Sequence, residues 1–135
     1  MRLIFALLTA LALLLMPQPA PAQQNISCSN SAIYNANTNG ATQLVAAITN
    51  ARVYICGYTL WANGVVNVSL VSGTGTNCGT GTVTLVPAYV FAAASQGITD
   101  GAGNFRGLGT AIGQALCINS SAGVAVQAIV YYVQF

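Results

Sequence analysis

From residue 52 onward, apolar and polar residues alternate with a period of two over short runs broken by Gly, Asn, Ser and Thr clusters, which predicts strands rather than helices. The strongest run is RVYICGYTLWANGVVNVSLVSG, from Arg52 to Gly73. It predicts a β-hairpin turning over Ala62-Asn63-Gly64. In the first arm Tyr54, Cys56, Tyr58 and Leu60 alternate with Val53, Ile55, Gly57 and Thr59. In the return arm Val66, Val68 and Leu70 alternate with Asn67, Ser69 and Val71. Asn-Gly tolerates positive φ at both turn positions, which suits the twist of two paired strands.

Around this stretch the pattern is weaker. Residues 23–40 form a polar arm in which only Ile26, Ile33 and Tyr34 are expected to be buried. Ala41 to Ile48 reads as a short strand, although its composition also suits one or two helical turns. Gly73 to Gly81 is a Gly/Thr loop carrying Cys78, followed by a strand at Thr82 to Leu85. Pro87 marks a strand edge or end, and Ala88 to Ala94 a second short segment. Gln96 to Gly109 is expected to be the longest irregular stretch, Ala115 to Asn119 a strand, Ser120 to Gly123 a turn, and Val124 to Phe135 a closing strand with Ile129, Tyr131, Val133 and Phe135 on one face. These elements predict an all-β fold, an antiparallel β-sandwich of about seven or eight strands, with the jelly roll as one form open to it.

Composition adds compartment and partners. Arg2, an apolar run from Leu3 to Met16 and small residues at Ala20 and Ala22 predict a signal peptide over 1–22, cleaved after Ala22. The run is short of the ~20 residues of a membrane span. Export places the single domain, residues 23–135, in a secreted, periplasmic or extracellular setting, away from the membrane once the signal is removed. Cys28, Cys56, Cys78 and Cys117 all lie in the exported part, so two disulfides are expected, with three pairings open. Cys28 is expected to tie the polar arm to the body. Beyond the signal peptide only Arg52, Asp100 and Arg106 are ionised, and there is no Lys, Glu or His. Two separated arginines cannot make the basic stripe that nucleic acid requires. Self-repulsion is weak at such low charge, and edge strands lack the usual lysine guard, so self-association or a larger surface or particle assembly is expected.

The same scarcity limits chemistry. One Asp is the whole supply of conventional acid–base groups, no Ser-His or Cys-His couple can form, and the protein is expected not to be an enzyme. The cysteines show no close pair of the kind a zinc knuckle needs, so neither metal nor cofactor is expected. Gly73 and Gly75 lack the third glycine and the lysine of a phosphate loop. Possible ligand contacts remain. Trp61 beside the turn is placed to stack on a sugar ring with Asn63 donating hydrogen bonds, although ordinary packing is the preferred reading. Asp100, Phe105 and Arg106 share the Gln96–Gly109 stretch, where an Asp-Gly turn with an Arg–Asp surface pair is preferred over a ligand site. Asn25, Asn67 and Asn119 open N-x-S triplets, which arise often by chance in such a chain.

Cys56-Gly57-Tyr58, the loop Gly73-Thr74-Gly75-Thr76-Asn77-Cys78, Ala115-Leu116-Cys117-Ile118 and Tyr131-Tyr132 together resemble a family of small exported or phage-encoded, cysteine-containing β-proteins without an established activity. The resemblance implies a viral or bacterial-surface setting. The function expected is a non-enzymatic, secreted or particle-displayed structural or adhesion module. A carbohydrate-binding module with a glycan partner and a small outer-membrane β-barrel are the alternatives, the latter because alternating apolar residues end in a terminal aromatic.

Overall fold

A computed structural model describes residues 27–101 and 107–135. The expected signal peptide over 1–22, Asn25, Ile26, Phe105 and Arg106 lie outside the described residues. Nine strands follow in order: β1 (Asn30–Ala36), β2 (Gly40–Val45), β3 (Val53–Ala62), β4 (Val66–Thr74), β5 (Thr80–Phe91), β6 (Gln96–Asp100), β7 (Leu108–Gly109), β8 (Ala115–Ser120) and β9 (Val126–Gln134). A 3₁₀ turn, Thr76–Cys78, joins β4 to β5. One antiparallel sheet has the order β1-β9-β3-β6, with β7 also on β3; the other has the order β2-β8-β4-β5. The expected all-β sandwich is present. Among the described residues the strands form two open sheets and no closed cylinder, which corrects the outer-membrane barrel alternative.

The Arg52–Gly73 stretch does form two strands, but not a hairpin. β3 pairs with β9, β6 and β7, whereas β4 pairs with β5 and β8 in the other sheet. Neither Asn63 nor Gly64 has the positive φ that a two-residue hairpin turn demands. The Asn63 N–H instead donates to Ala125 O at 2.9 Å, fixing the corner to the loop before β9. The chain therefore arches across the sandwich. Leu60 and Ala62 of β3 and Val66, Val68 and Leu70 of β4 enter one core from opposite sheets, joined by Leu116 and Ile118 of β8 and Val126 and Val130 of β9.

Alternation in β3 is also broken once. Its pairing with β9 shifts between Ile55 and Gly57, a bulge at Cys56. An extra residue moves the pattern by one position and exchanges the faces of the sheet. Val53 and Ile55 belong to the core before the bulge, and Tyr58, Leu60 and Ala62 after it. Gly57 sits at this bulge against Gly101. A Cβ there would lie 2.7 Å from Gly101 O, so only glycine lets the two backbones approach.

Other expectations need adjusting. Thr82–Leu85 and the stretch from Ala88 to Phe91 are not separate segments but parts of the continuous β5, which absorbs Pro87 at a register shift on the sheet's edge, while Ala92 to Ala94 lie beyond its end. The supposed irregular stretch Gln96–Gly109 begins with a true strand, β6, because Gln96–Asp100 pairs with Tyr58–Ala62. The polar arm contributes β1, and its Ile33 is 75% exposed rather than buried, since Tyr34 takes the core side. In β9 the face of Ile129, Tyr131, Val133 and Phe135 is the outward one, with Val126, Ala128 and Val130 turned inward.

The disulfides are Cys28–Cys56 and Cys78–Cys117, resolving the open connectivity. Cys28 ties the segment before β1 to the bulge in β3. Cys78 pins the Gly/Thr loop to β8, where Val71, Cys78, Ala115 and Cys117 form a small second cluster. The loop folds back tightly: a Cβ on Gly73 would lie 2.8 Å from Cys78 O. Cys78 itself is held at φ 57°, a conformation costing a non-glycine residue about 1–2 kcal/mol.

Replacing both Cys78 and Cys117 by Ala is expected to lower unfolding free energy by about 4 kcal/mol, from the entropy of a loop closed over 39 residues. Leu60→Ala, which empties a fully buried position, is expected to cost about 2–5 kcal/mol. Urea unfolding of oxidised protein checks both.

Candidate functional site

Two surface regions gather the residues most able to meet a partner. The first lies at the mouth of the arch from β5 to β6, where the chain crosses between sheets through residues 92–95. Gln96 closes this corner: its Oε1 accepts from the N–H groups of Ala92 (2.8 Å) and Ala93 (3.1 Å). The corner leaves an open cleft of about 340 Å³ lined by Tyr89, Val90, Phe91, Gln96, Gly97 and Ile98.

Beside this cleft three polar side chains meet. Tyr58 and Asp100 are directly opposed on β3 and β6, and the Tyr58 hydroxyl donates to Asp100 Oδ2 at 3.1 Å. Tyr89 reaches across from the other sheet, its oxygen 2.9 Å from that of Tyr58. The one proton of Tyr58 goes to the carboxylate, leaving its oxygen to accept from Tyr89. Burial, the hydrogen bond with Tyr89 and the hydrogen bond with Asp100, in that order, push the Tyr58 phenol well above the usual tyrosine range. A phenol held protonated in this way ties the sheets together but does not act as a base near neutral pH.

The second region is the outward face of the sheet holding β1, β9, β3 and β6. Cross-strand registers set Ile33 beside Ile129 and Trp61 beside Gln127. Trp61 is half-buried because its ring lies close over Gly97, where a Cβ would be 3.2 Å from Trp61 Cδ1. Tyr54 covers Gly109 in the same manner, 3.1 Å to its Cδ1, and stacks on Phe135 with ring centroids 4.9 Å apart. Such aromatics over cross-strand glycines shield backbone that has no side chain of its own. Ile129, Tyr131 and Phe135 remain exposed on this face.

The residues singled out from the sequence are not brought to one place. Trp61 lies on the outward face and Asp100 on the inward side with Tyr58, so the sheet separates them. Asn63 is exposed at the corner after β3, and its backbone N–H is engaged by Ala125. Phe105 and Arg106, with the proposed Arg–Asp pair, lie outside the described residues. Asp100 does join a polar cluster, but with Tyr58 and Tyr89. Their convergence has no local signal, because it depends on a strand and an arch pairing far along the chain. Among the described residues no group of His, Cys, Asp or Glu is arranged to hold a metal ion.

Because folded Tyr58 keeps its proton to higher pH than the unfolded chain, its contribution to stability is complete below about pH 10 and declines as pH rises above it, by at most ~1.4 kcal/mol per pH unit. Tyr58→Phe is expected to flatten that decline by about 1 kcal/mol between pH 10 and 11. Urea midpoints of the two proteins across this interval measure it.

No protein-family model matches the chain, and no curated protein matches it. Among solved structures it is similar to a chain of the T13 IBDV viral particle, at 11% sequence identity and a TM-score of 0.37. The alignment covers 87% of this chain and 36% of that one, so the present chain spans about a third of that protein's length.

Proposed function

We propose that this protein is a non-enzymatic, exported structural module that associates with further copies of itself or with a larger surface or particle assembly. The observation that carries the proposal is its lack of charge. Among the described residues, Arg52 and Asp100 have the only side chains with a formal charge at neutral pH, and Asp100 is half-buried against Tyr58. A folded surface this neutral lacks the self-repulsion that keeps most soluble domains apart. Two disulfides are consistent with an oxidising compartment, and they hold segments that a small core alone would not.

Strand order supports the jelly-roll form of the fold. With the two-residue β7 set aside, the first, eighth, third and sixth strands make one sheet and the second, seventh, fourth and fifth the other. Capsid and lectin domains both use jelly rolls, so the order alone does not choose between scaffold and glycan binder. The scaffold is favoured because the aromatics on the outward face are partly occupied: Trp61 lies over Gly97, and Tyr54 lies over Gly109 and stacks on Phe135.

Sedimentation velocity of residues 23–135 is expected to show association that grows with concentration and changes little between low and high salt, since few ion pairs are available to screen. A single monomeric species at every concentration would count against the proposal.

A further inference from the structure

A sandwich with two open sheets has four edges, and each exposes main-chain donors and acceptors able to pair with another strand. Three of these edges are guarded. β5 carries Pro87 and several register shifts, which break the regular ladder an incoming strand would follow. β2 is interrupted by a bulge between Gln43 and Val45, and the Gln43 N–H already donates to Asn77 Oδ1 of the 3₁₀ turn at 3.2 Å. The edge beyond β3 is shared by β6, which is five residues long, contains Gly97 and ends at Asp100, and by the two-residue β7, so it offers no long regular ladder.

β1 has none of these protections. Its register against β9 is unbroken over seven residues, from Asn30↔Tyr132 to Ala36↔Val126. The strand contains no proline, glycine or charged residue, and among the described residues no strand pairs with its other side. At its centre Ile33 is 75% exposed, the most exposed large apolar side chain among the described residues.

The strand is also complementary to itself. In an antiparallel pairing of two copies centred on Ile33, Ser31 on the outward face stands opposite Asn35 of the second copy, two polar groups able to hydrogen-bond. On the inward side Ala32 stands opposite Tyr34, small against large. The two Ile33 side chains meet at the axis and continue the apolar row that Ile129 begins in each copy. Directly opposed residues have Cβ atoms about 4.5–5.5 Å apart, close enough for the isoleucines to pack. No like charges face each other anywhere along the strand.

Resting on the association proposed above, we infer that β1 is the edge through which a second copy of this chain pairs, joining two sheets into one continuous sheet across a two-fold axis. The occupant is the same strand of another copy because β1 faces itself about Ile33 with Ser31 opposite Asn35, Ala32 opposite Tyr34 and no charge on either side; such a pairing is isologous, which closes at a dimer and leaves no free β1 edge to propagate a fibre.

The test compares Ile33→Lys with Val90→Lys, a change at a 72% exposed position on guarded β5. Both alter charge equally, and circular dichroism and thermal unfolding verify that each remains folded. Sedimentation is expected to show Ile33→Lys dissociating at least about tenfold more readily than wild type, because two lysines are forced together at the axis, while Val90→Lys dimerises normally. As a positive measurement, Ile33→Cys is expected to give a disulfide-linked dimer on oxidation and Val90→Cys none, since residues opposed across the axis lie within disulfide reach. Wild-type association that survives Ile33→Lys, with no cross-link through Ile33→Cys, overturns the assignment to β1 while leaving association itself intact. Equal loss in both lysine variants also overturns it, by assigning the effect to charge in general. A wild type that is monomeric throughout overturns the association and β1 together.

Discussion

The inward side chains of β3 and β4 are buried in one core from opposite sheets, and the rest of the structure follows from that constraint. Once Leu60 and Leu70 face the same interior from two layers, the corner between their strands has to cross the sandwich, and Asn63 secures it through Ala125. The same solution recurs from β1 to β2, β5 to β6 and β8 to β9, each crossing made by only a few residues. Every crossing places consecutive strands on opposite sides of the apolar interior. The fold is therefore held by contacts distant in sequence, and losing one inward residue weakens both layers. Among the described residues, direct local pairing of consecutive full-length strands survives only between β4 and β5.

A core of this size leaves some segments with too little apolar surface to dock by burial alone, and sulfur is placed there. The segment entering β1 is polar and joins the body through Cys28 to the bulge at Cys56. The Gly/Thr loop is polar as well, yet it covers the outer side of β4 and β8 because Cys78 reaches Cys117 beneath it. That covering explains why Val71 and Gly73, on the side of β4 away from the core, are nevertheless buried. The disulfides thus extend packing beyond the main interior as well as limiting the unfolded chain. Tyr58, Tyr89 and Asp100 perform a related task with hydrogen bonds, linking the two sheets near their β5 and β6 edges.

Period-two alternation made most strands legible in the sequence because it reports burial on one face, and the inward residues of β4, β8 and β9 follow it. It does not report which sheet a strand enters. A hairpin and an arch across a sandwich present the same alternation, and Ala62-Asn63-Gly64 suits either until the backbone angles are known. The change of phase at Cys56 is hidden for a related reason. A bulge needs no special side chain, and a disulfide cysteine such as Cys56 fits an ordinary strand position equally well. Ile33 and Tyr34 both suit a core, but adjacent residues on a strand cannot both face it. Of the proposed contact residues, Asp100 was legible as chemically unusual, while its partners Tyr58 and Tyr89 depended on long-range pairing that composition does not encode.

Low charge then acquires a structural meaning. Proteins rich in lysine guard strand edges electrostatically, and this chain has no lysine. Its protection is instead mainly geometric and local: Pro87 and register shifts on β5, a bulge and an occupied donor on β2, and brevity on β6 and β7. Geometric guards act edge by edge, unlike a net charge, which repels a neighbour from every direction. A molecule built this way can keep three edges closed while leaving a fourth regular and apolar at its centre. On the β1 pairing inferred above, directed association would not require a uniformly repulsive surface, because strand pairing at the other edges is limited by their geometry.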